Sequence, residues 1–266
     1  MVHVEFIGTP GSGKSTIRSL LLESLNSHEI SCLSMEQALL SSLKLNVDGI
    51  LFKCFLNILP ENLALKYAPL IFTRSALRYT AQNAFLSTHG KPVATFLSNN
   101  FFLQAPANEK EAVLSRFLLT ASQYHLIREH IAEKMPVLFD EGFLQRSASL
   151  FVSTGKSSLP DTTFFSAYLD TIPLPDIVLY LNSDIKICLD RIMNRPKGLP
   201  DRLAGKPHKE IMSYIEIFDR CIQCIADLAD EKGFHISRIK NNGRPEEVVS
   251  YLQQIIRQQN MNPCQT

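Results

Sequence analysis

The chain has 266 residues, with 27 Lys and Arg against 26 Asp and Glu, and 45% of its residues are hydrophobic. That supplies a sizeable core and excludes a disordered chain, while a net charge of +1 excludes a general binder of nucleic acid or acidic membrane, which needs a wide surplus of Lys and Arg. A local basic pocket stays compatible with it, and the length fits one large domain or two small ones.

Residues 2–7, Val-His-Val-Glu-Phe-Ile, alternate, are rich in β-branched and aromatic side chains and run into glycines, which predicts a strand ending in a tight turn. No basic leader with a long apolar run precedes it, so a cytoplasmic protein is expected. The turn, Gly8-Thr9-Pro10-Gly11-Ser12-Gly13-Lys14-Ser15 followed by Thr16, fits G-x-x-x-x-G-K-[ST] and stands between a strand and a helix, where that motif belongs. Its glycines let successive backbone N–H groups curl round a phosphate, and the helix that begins there adds its positive end. Lys14 reaches the outer phosphates and the Ser15 hydroxyl ligates Mg²⁺. Gly8 to Thr16 are therefore expected to bind ATP, with Mg²⁺ as the second cofactor.

Ile17, Leu20, Leu21 and Leu25 recur at helical spacing after Lys14. Ile30 to Met35 reads as a short buried strand, with Glu36 just past it. From about residue 36 to 135 the pattern is mainly helical, with long amphipathic helices over Leu63–Leu86 and Glu109–Lys134, as for a helical layer inserted between strands. Tyr67, Phe72, Tyr79 and Phe85 lie at helical spacing and read as core packing. The most apolar stretch, residues 50 to 59, is interrupted by Lys53 and is half the ~20 residues that span a bilayer, so no membrane segment is expected.

Val137 to Phe139 is a short strand ending in Asp140 and Glu141, the form taken by the second, metal-side element of such NTPases. One acid would hold Mg²⁺ through water and the other take the acceptor's proton. Neighbours on a strand point opposite ways, so both do not face the phosphates equally. A further strand covers Ile177 to Leu181. Beyond it, Arg191 and Arg195 share a helix face, and Arg202 follows in a Pro/Gly-rich loop. Such a loop closes over a transferring phosphoryl group, neutralises it and excludes water, so residues 195–208 are expected to form a lid. His235 to Ile239 is the last strand. Arg244-Pro245-Glu246-Glu247 then starts a helix to about Gln258, and residues 260–266 read as a tail. Six cysteines form no evenly spaced framework, which suits reduced thiols, and the one CxxC, Cys221 and Cys224, lies inside an expected helix.

Strands alternating with helices imply a mostly parallel five-stranded sheet covered on both faces. The motifs are spread along the chain and must meet at one site, which favours one domain over residues 1–259. With these motifs the chain resembles the P-loop nucleotide kinases, most of all thymidylate kinase. The resemblance runs through LLTASQYHLIREHIAE (118–133) and PVLFDEGFLQRSASL (136–150), PDIVLYLNSDIKICLDRIMNR (175–195), Asp201-Arg202, and IKNNGRPEEVVSYLQQII (239–256). It implies a three-layer α/β/α P-loop fold with an inserted acceptor layer and a lid, and an ATP-dependent kinase. Lys14, Asp140, Glu141, Arg191, Arg195 and Arg202 would divide the catalytic work. The partner is then a small-molecule phosphoryl acceptor, with neither nucleic acid nor membrane, and a homodimer is an assembly this reading admits.

Two departures stand out. The family has an Arg after the strand-three Asp, where this chain has Glu141, and an Arg on the preceding helix, where it has Ser122. Those arginines bind acceptor phosphate or γ-phosphate in the family, and an anion buried without such partners is costly. Either the acceptor is not a typical nucleoside monophosphate, or Arg74, Arg78 or Arg146 substitutes. Glu36 lies near the family's acceptor-contacting acids and could position an acceptor hydroxyl. The alternative is a P-loop NTPase with a regulatory or partner-binding role. Against a guanine switch, Asn182-Ser183-Asp184-Ile185 lacks the Lys and final Asp of Asn-Lys-x-Asp.

Overall fold

Strand β1 (Val2–Ile7) runs through the middle of a five-stranded sheet of order β2-β3-β1-β4-β5, whose other members are β2 (Leu33–Ser34), β3 (Pro136–Phe139), β4 (Ile177–Asn182) and β5 (Ile236–Lys240). The computed structural model describes residues 1–28, 30–46, 54, 56–98, 107–151, 162–196, 198–200 and 203–261. Every strand pairing is parallel, with Val4 opposite Leu138 on one side and Ile177 on the other. Parallel neighbours need crossovers, and the crossover helices cover both faces of the sheet.

The two-residue period of the strands sorts their side chains into two cores. Val4, Phe6, Leu138, Leu179 and Leu181 pack under α1 (Lys14–Ser27) and α11 (Pro245–Met261). Ile7, Val137, Phe139, Val178 and Tyr180 face the larger core. That core is built from α2 (Met35–Asn46), α3 (Glu61–Arg74), α4 (Ala76–Thr88), α6 (Ala107–His130), α7 (Phe143–Phe151), α8 (Thr162–Leu169), α9 (Ile185–Met193) and α10 (His208–Glu231). A short α5 (Gly90–Leu97) lies between α4 and α6 in the chain. This is the α/β arrangement the resemblance implies, with the helical layer on one face of the sheet.

The elements differ from the sequence expectation in a few places. The strand expected over residues 30–35 shortens to Leu33–Ser34: at its start the Ile30 N–H still donates to the Leu25 carbonyl of α1 at 3.1 Å, and at its end Ser34 caps α2, its Oγ accepting the Gln37 N–H at 3.1 Å and its own N–H donating to Gln37 Oε1 at 2.8 Å. This reciprocal pair fixes a helix start. The single helix expected over residues 63–86 is two, α3 and α4. They break at Ser75, which is extended (φ −87°, ψ 156°) and donates its hydroxyl to the Phe72 carbonyl at 2.8 Å. Phe72 and Phe85 are core, as expected, but Tyr67 and Tyr79 are 42% and 61% exposed and are not. The helix expected to end near Gln258 runs on through Met261, so the expected tail begins inside it, and residues 262–266 lie outside the described residues. Of the lid expected over residues 195–208, Lys197, Asp201 and Arg202 also lie outside them, so the role expected of Arg202 has no structural description.

Candidate functional site: a phosphate-loop cleft

The loop between β1 and α1 has the backbone its glycines allow. Gly11 (φ 85°) and Gly13 (φ 91°) are left-handed. A Cβ on Gly11 would run into the backbone of Cys188, and one on Gly13 would lie 2.5 Å from Asn241 Nδ2. Only glycine meets both demands. The loop is then held from four directions. Asn241, just past β5, donates Nδ2 to the Ser12 carbonyl at 2.7 Å. Thr9 donates its hydroxyl to Asp219 of α10 at 2.6 Å, and Gln223 donates to the other carboxylate oxygen at 2.6 Å. Gln145 of α7 accepts the Gly8 N–H at 2.9 Å and donates to the Gly8 carbonyl at 3.1 Å. Lys14 lies across the loop, with Nζ 2.6 Å from the Gly8 carbonyl and 3.2 Å from that of Thr9. Burial lowers its pKa to about 8, against the opposing pull of Glu141 and Asp140.

In front of the loop opens a cleft of about 1010 Å³. It stands at the upper end of the roughly 300–1,000 Å³ that small-ligand pockets occupy. Pro10, Gly11, Gly13, Lys14, Ser15 and Thr16 line it, whereas Gly8, Thr9 and Ser12 are buried and support the loop from behind. Glu141 and Arg146 line it from the end of β3 and the start of α7, and Arg191 and Arg195 from the end of α9. Four of the expected catalytic residues, Lys14, Glu141, Arg191 and Arg195, thus meet in one cleft. Arg191 is turned to the protein's own oxygens, with its guanidinium 3.2 Å from the Asn241 carbonyl and 3.5 Å from that of Gly11. Glu141 is ion-paired to Arg146 at 2.6 Å.

Asp140 and Glu36 do not line this cleft. They meet on Arg18, one turn of α1 beyond Lys14. The Arg18 guanidinium donates to both Glu36 oxygens, at 2.9 and 3.1 Å, and its Nε stands 3.0 Å from Asp140 Oδ1. Asp140 and Glu141 have therefore diverged to different partners, as strand neighbours must. Burial raises the Asp140 pKa to about 6, with Arg18 pulling it down and Glu36 pushing it up. Its buried Oδ1 accepts no hydrogen bond. That oxygen is turned to the Arg18 guanidinium, whereas the exposed Ser15 hydroxyl lines the cleft and is a hard donor of the kind Mg²⁺ takes. Among the described residues no group of three or more His, Cys, Asp or Glu is placed to hold a metal ion by itself. That hydroxyl therefore fits a magnesium ion that arrives with nucleotide phosphates.

Two more of the residues expected at the acceptor are, like Glu36, elsewhere. Arg74 is exposed on α3, and Arg78 reaches the Thr73 carbonyl at 3.5 Å and lies 5.7 Å from the Tyr79 ring; neither lines the cleft. Ser122 is buried and donates back to the Leu118 carbonyl at 2.6 Å, so it offers the cleft nothing. Arg116, nearly two turns earlier on the same helix, does line it. Sequence reading missed Arg116, Arg18, Gln145 and Asn241. Of these only Arg18 carried a local signal, its four-residue spacing from Lys14 on one helix.

No protein-family model matches the chain, and no curated protein matches it. Solved structures do. A deoxyadenosine kinase from M. mycoides with bound dATP superposes with a TM-score of 0.50 at 13% identity, over 97% of this chain and 100% of that one. Thymidylate kinase from Candida albicans superposes with a TM-score of 0.49 at 16% identity, over 97% of this chain and 92% of that one. The chain has the P-loop kinase fold of that deoxyadenosine kinase, with its five-stranded parallel sheet.

Proposed function

We propose that this chain, on that fold, is a small-molecule kinase that transfers the γ-phosphoryl group of Mg-ATP to a hydroxyl of a small, nucleoside-like acceptor. The observation that carries the reading is the Arg18 bridge, which holds two carboxylates, Glu36 and Asp140, one helical turn from the phosphate-loop lysine. Carboxylates so placed suit an acceptor that must give up a proton. A second phosphate would instead call for guanidinium groups at the end of β3, and there Arg146 is already paired with Glu141. Gly11, Gly13 and the first turn of α1 cradle the donor phosphates, with Lys14, Arg191 and Arg195 neutralising the charge that develops in the transfer. Ser15 would hold Mg²⁺ together with the phosphates, with Asp140 acting on it through water, and the ion would supply charge neutralisation and orientation. Glu36, beside the cleft and shared with Arg18, would position the acceptor hydroxyl, and the lid expected over residues 195–208 stays part of this reading.

A second reading, a monophosphate acceptor, draws on Arg116 and Arg146, both of which line the cleft. The readings separate when the protein is incubated with labelled ATP and a panel of nucleosides, nucleoside monophosphates, sugars and aminoglycoside-type alcohols. Labelled product from an uncharged acceptor is expected. Hydrolysis that no acceptor accelerates would sink the kinase reading in favour of a regulatory NTPase. Replacing Lys14 by Ala removes a charge aimed at the transferring group, and turnover is expected to fall by about 10²–10³. Full activity would remove the phosphate-loop assignment.

A further inference from the structure

The peptide of Gly8 is bonded more fully than a phosphate loop alone requires. Its N–H donates to Gln145 Oε1, and its buried carbonyl accepts from two donors at once, Lys14 Nζ at 2.6 Å and Gln145 Nε2 at 3.1 Å. The two-point match also fixes which end of the amide is nitrogen, since Gly8 N–H needs an acceptor and the carbonyl a donor. Gln145 is itself held in place. It is 5% exposed, and its backbone N–H donates to Glu5 Oε1 at 2.8 Å from beneath the start of α7.

Lys14 cannot serve the loop and a nucleotide together. To reach outer phosphates its ammonium must leave the carbonyls of Gly8 and Thr9, and a buried carbonyl left with no other donor is costly; that of Thr9 keeps the Ser12 N–H at 3.0 Å, and that of Gly8 keeps Gln145 Nε2. We propose that Gln145 is a positioning residue that stands in for Lys14, keeping the Gly8 carbonyl bonded while the lysine moves from the loop to a bound nucleotide. Glutamine suits the task because it donates without adding charge beside the phosphates. Methionine, of similar length, offers neither bond. Glutamate keeps the acceptor for the Gly8 N–H but has no proton for the carbonyl.

The inference rests on the reading of the loop as a nucleotide site, and its test needs no acceptor. Binding of Mg-ADP and Mg-ATP is measured for wild type, Gln145→Met, Gln145→Glu, Lys14→Ala and Lys14→Ala with Gln145→Met. The readout is the nucleotide-induced rise in melting temperature up to millimolar ligand, and melting without ligand exposes any folding defect. Gln145→Met is expected to weaken both nucleotides by about tenfold when Lys14 is present. In the Lys14→Ala background, where no lysine has to leave, it should change affinity less than twofold, a coupling that a double-mutant cycle isolates. Gln145→Glu should also bind worse than wild type. Wild-type affinity in either variant overturns the inference, as does an equal loss in both backgrounds, which would make Gln145 a prop of the loop only. If wild type binds neither nucleotide, the kinase reading falls and takes this inference with it; tight wild-type binding with an unaffected Gln145→Met sinks the inference alone.

Discussion

Glu141 and Arg146 face each other at 2.6 Å where the resemblance leads one to expect a lone arginine. The pair is neutral as a whole and adds a carboxylate, in addition to that of Asp190, to a cleft that also presents Lys14, Arg116, Arg191 and Arg195. If the carboxylate sets the acceptor class, Glu141→Arg should let thymidylate or a related monophosphate be phosphorylated at least about tenfold faster than by wild type, a change of about 1.4 kcal/mol in the barrier. No gain would separate Glu141 from acceptor choice. Legibility at this scale followed sequence distance. The loop from Gly8 to Thr16 could be read because its requirements are local: glycines, a lysine and a hydroxyl at fixed spacing. Asn241 and Asp219 hold the same loop from 229 and 210 residues away, and nothing in their own neighbourhoods marks them for it. Arg116 sits in a long helix whose pattern reports only which face is buried. Arg74 and Arg78 looked equally eligible, and the course of α3 and α4 carried them away from the cleft.

Among the elements, the short β2 shows how a hydrophobic run is trimmed by its neighbours. Ile30 to Met35 is apolar enough for a strand, yet Ile30 is bonded back to the end of α1 and the Ser34–Gln37 reciprocal bonds begin a helix at the other end. Ser34→Ala should lower stability by about 0.5–2 kcal/mol, seen as a lower denaturation midpoint, and Ser34→Asp should restore most of it. Because Glu36 stands in the first turn of α2, the same substitution should loosen the Arg18 bridge and reduce turnover more than nucleotide affinity; unchanged stability would deny the cap its role. The break at Ser75 shows in the phase of the buried positions. Ala64, Ala68 and Phe72 recur every four residues, as do Ala81 and Phe85, but nine residues, two and a half turns, part Phe72 from Ala81, so the buried stripe changes face across the extended Ser75. The central strands β1, β3 and β4 were the plainest part of the sequence, being buried on both faces.

At the scale of the whole molecule, the larger core encloses two titratable groups of β1. Burial lowers the His3 pKa to about 3. It raises that of Glu5 to about 8, against the pull of the amides of Gln145, Leu144 and Phe143. Both groups are therefore neutral in the native state near pH 5. Between its ordinary 4.5 and about 8, Glu5 keeps a proton in the folded chain that the unfolded chain releases, so stability falls as pH rises through that window. Between 6.5 and about 3, the unfolded chain takes a proton that folded His3 refuses, so stability falls as pH drops. Between about pH 5 and 6.5 these two slopes oppose each other, so denaturation midpoints should decline for wild type from about pH 6.5 to 8 and decline less for Glu5→Gln. Parallel curves would mean that Glu5 is not the group responsible.

The bond from Asn241 to the Ser12 carbonyl, 229 residues apart, also bears on how the molecule is made. As a nascent chain lengthens, residues 8–15 wait through nearly all of synthesis before the segment that braces them exists. Pairings of such long separation are slow to close. Until then ATP, however abundant in the cell, finds no finished loop to bind and cannot act as a folding aid. Nucleotide should therefore protect the completed protein from proteolysis and leave a chain halted before β5 as vulnerable as it was.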